Sequence, residues 1–498
     1  MLRSPAVYKI LLNLLAPVAG FTIILFFTGH SGIGIDADSV VYLKAAQNLQ
    51  TNGTLTDFMH KPVIEFPLLY PLFISSGIFI TGLQPLSFAP LLNATLFALL
   101  IFLFANLIEK IPVLQKWHKG ALLSCLVFSP AILEVYSYLW SETLFLIILL
   151  LFFFALNRYL NSLSRKVLFM AAGLAALAAI TRYAGITLIV TGTLFILVNR
   201  KLPLLKKLTD LLIFGLISSV PLTINLVRNY TQTGLLTGYR EGSQIPFMQN
   251  LKHIGHALYS WLPFLNGNTN GAGWFAALIM LILLTHIIRL VFKKNKQLSL
   301  VNMAAGFSLV YLLFIDGIAS IARFEILNSR FLSPVFISLL TCIGYWIIRA
   351  AGRIPYRGLS LATVLIVFLL FQYGQFRSDY ETWDGVKDAG IPGYTEDQWT
   401  ASATVRFIQK DSLPFQQNHT IWSNANDAVY FFTGREGKFL PHKEFNKEVH
   451  ELLVDPHCYV VWFNDGENPD LVDKDFLILE KKMTLVKEFD DGAIYEYN

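Results

Sequence analysis

The sequence predicts a polytopic α-helical membrane protein of about eleven transmembrane helices, followed by a small extracytoplasmic α/β domain. Three observations predict it. Hydrophobic residues make up 54% of the 498-residue chain and charged residues only 15%, where a soluble chain carries about 25% charged residues. Apolar runs of about 20 residues, the length of helix that crosses a bilayer, recur through the first three quarters. After about Phe376 the composition changes and charge returns. This pattern excludes disordered, collagenous, coiled-coil and disulfide-scaffold chains. Cys125 and Cys342 lie in apolar runs and Cys458 lies near the C-terminus, so no disulfide or metal spacing is present. The net charge of +5 is dispersed over short loops and forms no nucleic-acid footprint.

The helical segments fall at 8–29, 86–108, 120–137, 142–160, 167–180, 184–199, 208–229, 273–292, 298–319, 331–348 and 358–375. The first resembles a signal peptide, but its apolar run is long and no small-x-small site follows, so it reads as a retained anchor. The run from Pro67 to Gly82 is short and carries Pro71; counted as a span it would invert every later loop, so it reads as a juxtamembrane or re-entrant helix. Basic loops stay cytoplasmic. Arg3 and Lys9, Lys110 to Lys119, Arg158 to Lys166, Arg200 to Lys207, Lys293 to Lys296 and Arg349 to Arg357 all fall on one side. The opposite loops, 30–85, 138–141, 181–183, 230–272 and 320–330, hold most of the unusual polar residues and face outward. An odd number of spans puts residues 376–498 outside as well, and 1–375 form the membrane domain. In the tail, His419 to Ser423 and His457 to Phe463 read as strands. Helical patterns at Gln398 to Lys410, Asp427 to Thr433, Lys443 to Leu453 and Pro469 to Lys482 alternate with them, which favours an α/β layer.

The first outer loop reads G-I-D-A-D-S-V-V-Y, with Asp36 and Asp38 ahead of an amphipathic helix. Two carboxylates at this spacing suit a general base and can hold a divalent cation or a sugar hydroxyl. Asp38 is also a natural N-cap; capping would lower its pKa and leave Asp36 the freer carboxylate. Further along, H-K-P-V-I-E-F-P-L-L-Y gathers His60, Lys61, Glu65 and Tyr70, either to meet a lipid phosphate or as an interfacial aromatic anchor with a snorkelling lysine. Glu134 and Glu142 flank Y-S-Y-L-W-S-E-T-L-F at a short apolar turn, where an acid is costly unless paired; Glu142 can equally serve the start of its own helix, with Ser141 as cap. Arg182, Arg240, Arg323 and Arg330 lie at the same face. Singly each reads as a headgroup contact or as the partner of Glu241 or Glu325; together they suit a phosphate or pyrophosphate held by bidentate contacts. P-loop, dinucleotide and zinc-protease motifs are absent. The N-x-[ST] matches at Asn52, Asn93, Asn229 and Asn418 carry no weight.

The order of these features resembles the GT-C glycosyltransferases that use polyprenyl-phosphate sugars, in the branch of protein mannosyltransferases and aminoarabinose transferases. The motifs that carry it are Asp38-Ser39 with Tyr42 and Ala45-Ala46, P-L-L-Y-P-L from Pro67, S-E-T-L-F from Ser141, T-R-Y-A-G from Thr181, R-N-Y-T-Q-T-G-L-L-T-G-Y-R from Arg228 and S-R-F-L-S-P from Ser329. The resemblance implies that Asp38 is the catalytic acidic residue of the first loop, Glu142 the second acidic site and Arg182 the basic residue after the fifth span. Serine follows Asp38 where the family often has glutamate, and Asp36 is close by, so either aspartate remains a candidate base and the metal remains open. The activity implied is transfer of a sugar from a polyprenyl-phosphate donor to an acceptor outside a bacterial inner membrane. Inversion is expected, with Asp38, Asp36 and Glu142 catalytic and Arg182, Arg240, Arg330, Lys61, His60 and Tyr70 binding substrate. Two other readings stand beside it. A transporter or lipid flippase would place its charges near the midplane of repeated halves, whereas here they lie at span ends. An envelope scaffold would bind through the soluble domain.

Overall fold

The computed structural model describes residues 11–265, 267–292, 298–323, 325–351, 357–410, 419–464 and 468–497. The orientation residues Arg3, Lys9, Lys293, Lys294, Lys296 and Arg353, and Asn418, lie outside the described residues. Among the described residues each predicted apolar segment is largely helical, with 120–137 divided into two helices. The bundle begins with a π turn (Leu11–Leu15) and α1 (Ala16–Phe27), then α2 (Ala37–Asn52), α3 (Leu69–Thr81), α4 (Pro85–Glu109), α5 (Lys116–Val127), α6 (Pro130–Ser137), α7 (Glu142–Ser162), α8 (Arg165–Thr181) and α9 (Ile186–Val198). It continues with α10 (Leu204–Thr233), α11 (Phe247–Ser260), α12 (Ala272–Phe292), α13 (Leu300–Ile321), α14 (Ser329–Ala351) and α15 (Arg357–Ala389). Among the described residues, six helices are long and apolar enough to cross a membrane: α4, α7, α10, α12, α13 and α14; α5 and α6 make a seventh if the bent pair is one span. Several predicted spans are thus shorter helices, such as α1 and α9, and α3 is short as expected for a helix not counted as a span. The amphipathic α11 has no counterpart among the segments expected from sequence.

Local chemistry sets the breaks. Pro130 opens α6 and has no N–H to continue the helix, and Ser129 before it is extended, so α5 and α6 meet at 47°. That bend delivers the turn Tyr138 to Ser141 to the end of the bundle that carries α2. Gly185 closes the turn between α8 and α9 against α8 itself: a Cβ there would lie 2.2 Å from the Ala178 carbonyl. Leu205 of α10 and Trp274 of α12 are 77% and 79% exposed, an apolar surface suited to hydrocarbon contact.

The C-terminal layer holds α16 (Asp397–Thr400), α17 (Ala403–Ile408), β1 (Thr420–Ser423), α18 (Asn426–Thr433), β2 (Lys438–Phe439), α19 (Asn446–Val454), β3 (Cys458–Phe463), α20 (Lys474–Leu479), β4 (Thr484–Phe489) and β5 (Gly492–Tyr497). The sheet order is β2-β1-β3-β5-β4, with β1 parallel to β2 and β3, and β5 antiparallel to β3 and β4. β3 is buried along its whole length, as an apolar central strand covered on both faces should be. α15 continues through residue 376 to Ala389, and the chain then passes against the first loop: Tyr394 N–H donates to the Ile35 carbonyl at 2.8 Å and Thr395 Oγ to that of Ile33 at 3.0 Å.

Candidate active site

The backbone of Gly34 bridges the α6–α7 turn, donating to the Ser137 carbonyl at 2.9 Å and accepting from Leu139 N–H at 3.1 Å. Only glycine fits, because a Cβ would lie 2.6 Å from Ile391 and 2.7 Å from Tyr138. Asn93, fully buried on α4, fixes the turn by donating Nδ2 to the carbonyls of Tyr136 and Tyr138 at 2.9 and 2.7 Å. The loop holding Asp36 and Asp38 is therefore sewn directly to the turn holding Trp140, Ser141 and Glu142.

Asp36, not Asp38, caps α2. Asp36 Oδ1 accepts from Ser39 N–H at 3.0 Å and Ser39 Oγ at 2.8 Å, and Oδ2 accepts from Trp140 Nε1 at 2.7 Å. The expectation that Asp38 caps and Asp36 stays free is thus reversed, because Ser39 lies at the third position after Asp36, where an N-cap finds its donor. Asp38 sits in the first turn, and its Oδ2 accepts from Arg330 Nη2. Burial pushes its carboxyl up to about 7; Arg330 partly offsets this and Asp36 adds to it.

Arg330 is the hub. Its Nε donates to Glu142 Oε1 at 2.8 Å, its Nη1 lies 3.5 Å from Asp36 Oδ2, and its guanidinium carbon stands 4.0 Å above the centre of the Trp140 ring. On the far side of Glu142, Oε2 faces Arg182 Nη1 at 2.5 Å, and the same nitrogen donates to Ser141 Oγ at 2.8 Å. Exposure falls across the cluster: the side chains of Asp36 and Asp38 are 29% and 24% accessible and Glu142 1%. The aspartates are reachable from solvent, while Glu142 locks two arginines from beneath. Tyr42, fully buried, meets Ser141 Oγ at 3.2 Å and packs edge-to-face on Tyr70 with centroids 4.9 Å apart. Tyr70 is therefore the layer under the site.

Asp36, Asp38, Glu142, Arg182 and Arg330, from four distant stretches of sequence, come together. Lys61, His60 and Arg240 do not join them. His60 pairs with Glu436 of the C-terminal layer at 3.2 Å, and Lys61 stands exposed in a tight loop whose backbone is pinned by Asp57. Arg240 is exposed in a loop over Glu65, with Gly238 beside the Glu65 side chain. Arg323 pairs with Glu241 at 2.7 Å and with Asp470, and serves as a strut to the C-terminal layer. Sequence reasoning missed Trp140, which only its position next to Ser141-Glu142 could have flagged. It also missed Arg228, whose Nη1 donates to the Val63 carbonyl at 3.0 Å and whose Nη2 donates to that of Leu55 at 3.3 Å, suspending the 55–63 loop. A divalent cation at Asp36 and Asp38 does not fit this donor set. Both oxygens of Asp36 are engaged by Ser39 and Trp140, Arg330 meets Asp38, and among the described residues no three His, Cys, Asp or Glu side chains are grouped to hold a metal.

No protein-family model and no curated protein sequence matches the chain. Solved structures do. ArnT from Cupriavidus metallidurans in its apo state superposes with a TM-score of 0.58 at 12% identity, over 99% of this chain and 98% of that one. The same protein bound to undecaprenyl phosphate gives 0.57 at 13% identity and the same coverage. The archaeal oligosaccharyltransferase AglB from Archaeoglobus fulgidus, in complex with an inhibitory peptide and a dolichol-phosphate, gives 0.50 at 12%, over 91% of this chain and 69% of that one. The class is therefore a polytopic helical membrane protein with a small C-terminal sheet layer. The particular fold is that of ArnT, the GT-C fold expected from the motif order.

Proposed function

We propose that the chain is a membrane glycosyltransferase that moves a sugar from a polyprenyl-phosphate donor to a hydroxyl acceptor at the extracytoplasmic face, most fittingly of a bacterial inner membrane. The observation that carries it is Asp38, an accessible carboxylate held near neutral pKa beside a buried arginine, on a scaffold like that of a protein solved with undecaprenyl phosphate. A base poised near the working pH is efficient at removing a hydroxyl proton. Asp36 is a weaker candidate, because three hydrogen bonds already satisfy it.

In the reaction Asp38 takes the proton of the acceptor hydroxyl while its oxygen bonds to the anomeric carbon. The bond from that carbon to the phosphate oxygen breaks, and its electron pair stays on the phosphate. Attack opposite the leaving group inverts the anomeric centre. Arg330 and Arg182 supply a positive field to the leaving phosphate as charge develops there; donors fixed in advance act where charge appears in the transition state. Glu142 holds both guanidinium groups in place. Lys61 and Arg240 lie in loops suited to guiding an anionic lipid headgroup inward.

The test is a panel of radiolabelled polyprenyl-phosphate sugars offered to the purified protein with membrane acceptors. Label moving into acceptor with stoichiometric release of polyprenyl phosphate is the expected result; an intact donor panel with no release by wild type would sink the transferase reading.

A further inference from the structure

Beside the charged cluster lies a cavity of about 310 Å³ between α6, the end of α11, the start of α14 and the later turns of α15. Tyr138, whose ring stacks on Trp140 with centroids 4.2 Å apart, forms one wall, and Ser329, the neighbour of Arg330, forms another. The lining holds two carboxylates, Glu134 and Asp379, and no Lys, Arg or His among the described residues.

Its polar groups are incompletely satisfied. Asp379 is 7% exposed and neither carboxylate oxygen has a hydrogen-bond partner among the described residues; the same holds for Gln375 Oε1 and Ser129 Oγ, both buried in the same lining. Buried acceptors without donors are costly, and a buried charge without a counter-charge more so. Burial raises the Asp379 carboxyl to about 8, so the complementary group is one that both donates to Asp379 and Gln375 Oε1 and carries the positive charge that restores the ionised carboxylate. A hydroxyl gives one donor and no charge. A primary ammonium gives three donors and the missing positive charge. Trp261 and Tyr138 add aromatic walls, whose faces attract cations.

We propose that this cavity is a second binding site, for a ligand presenting a primary ammonium group. Resting on the transferase reading, the ligand is the acceptor, anchored by its ammonium while a hydroxyl reaches Asp38 past the Tyr138–Trp140 pair. Glucosamine is the probe and glucose its neutral counterpart, titrated into the purified full-length protein in detergent at pH 7.5 without donor lipid, and followed by saturation-transfer NMR. The site predicts glucosamine binding at least tenfold tighter than glucose, with the preference lost in Asp379→Asn. Should Asp379→Asn fail to fold by thermal melting, Glu134→Gln reports instead, with the same loss of preference expected. Equal binding of the two sugars, or an undiminished preference in the Asp379 and Glu134 variants, overturns the site. Because no donor is present, the two readings separate: an intact preference without transfer by wild type would remove the transferase reading and leave the ammonium site standing.

Discussion

At the residue scale the account turns on Asp38 and the arginine it faces. The Asp38 carboxyl, raised to about 7 mainly by burial, must be ionised to accept a proton. The pH profile of kcat/KM should therefore climb about tenfold per unit from pH 5 toward 7 and level above about 8. The linkage has the opposite sign for stability. A carboxylate whose folded pKa lies above its unfolded value contributes fully below the unfolded value, and that contribution is lost as pH rises through the folded one. Asp38→Asn should thus leave the thermal midpoint at pH 8 unchanged or higher than wild type. Glu142 behaves differently, since it is wedged between Arg182 and Arg330 with 1% exposure. Glu142→Ala strands two guanidinium groups and should cost about 3–5 kcal/mol in denaturant unfolding, well beyond the loss from an exposed acid. Arg330→Lys should also fail in transfer, because one ammonium cannot meet Asp38, Asp36 and Glu142 at once from a planar fork. Residue types were legible in sequence here, but their division of labour was not. Which aspartate caps α2 depends on where Ser39 falls relative to each, and the Trp140 bond to Asp36 joins residues 104 apart.

At the scale of elements, the position of Arg182 depends on the turn between α8 and α9. Gly185→Ala pushes a methyl into the α8 backbone and should destabilise by about 1–3 kcal/mol, as overpacking does, and lower transfer by displacing Arg182; a thermal melt beside an activity assay separates the two effects. Element existence was legible because an apolar run of helical length leaves few alternatives, and the C-terminal strands β1 and β3 were legible as dense apolar runs. The exposed β4, Thr484–Phe489, was not, since its side chains face solvent and its pairing with β5 closes over Asp490, Asp491 and Gly492. The D-D-G turn was the available signal. Helix α11 was missed for a related reason: it is amphipathic and too short for a span.

At the scale of the whole molecule, the C-terminal layer is a structural partner of the site. Tyr394 and Thr395 bind the backbone of the loop that ends at Asp36, and Phe58 stacks on Tyr430 with centroids 5.1 Å apart. Truncation after Ala389 should leave a membrane-inserted bundle with a lower thermal midpoint and no measurable transfer. The His60–Glu436 pair, exposed on both sides, should matter little, because such pairs contribute about 0–1 kcal/mol and are screened by salt. The central claim is that one accessible, near-neutral aspartate does the proton transfer on a GT-C scaffold. The measurement that tests it most directly is single-turnover transfer from a radiolabelled polyprenyl-phosphate sugar by wild type, Asp38→Asn and Asp36→Asn, all shown folded by thermal melting. The account predicts a loss of about 10²–10⁴-fold in Asp38→Asn and a smaller loss in Asp36→Asn, whose role is to hold the loop; full turnover by folded Asp38→Asn would contradict it.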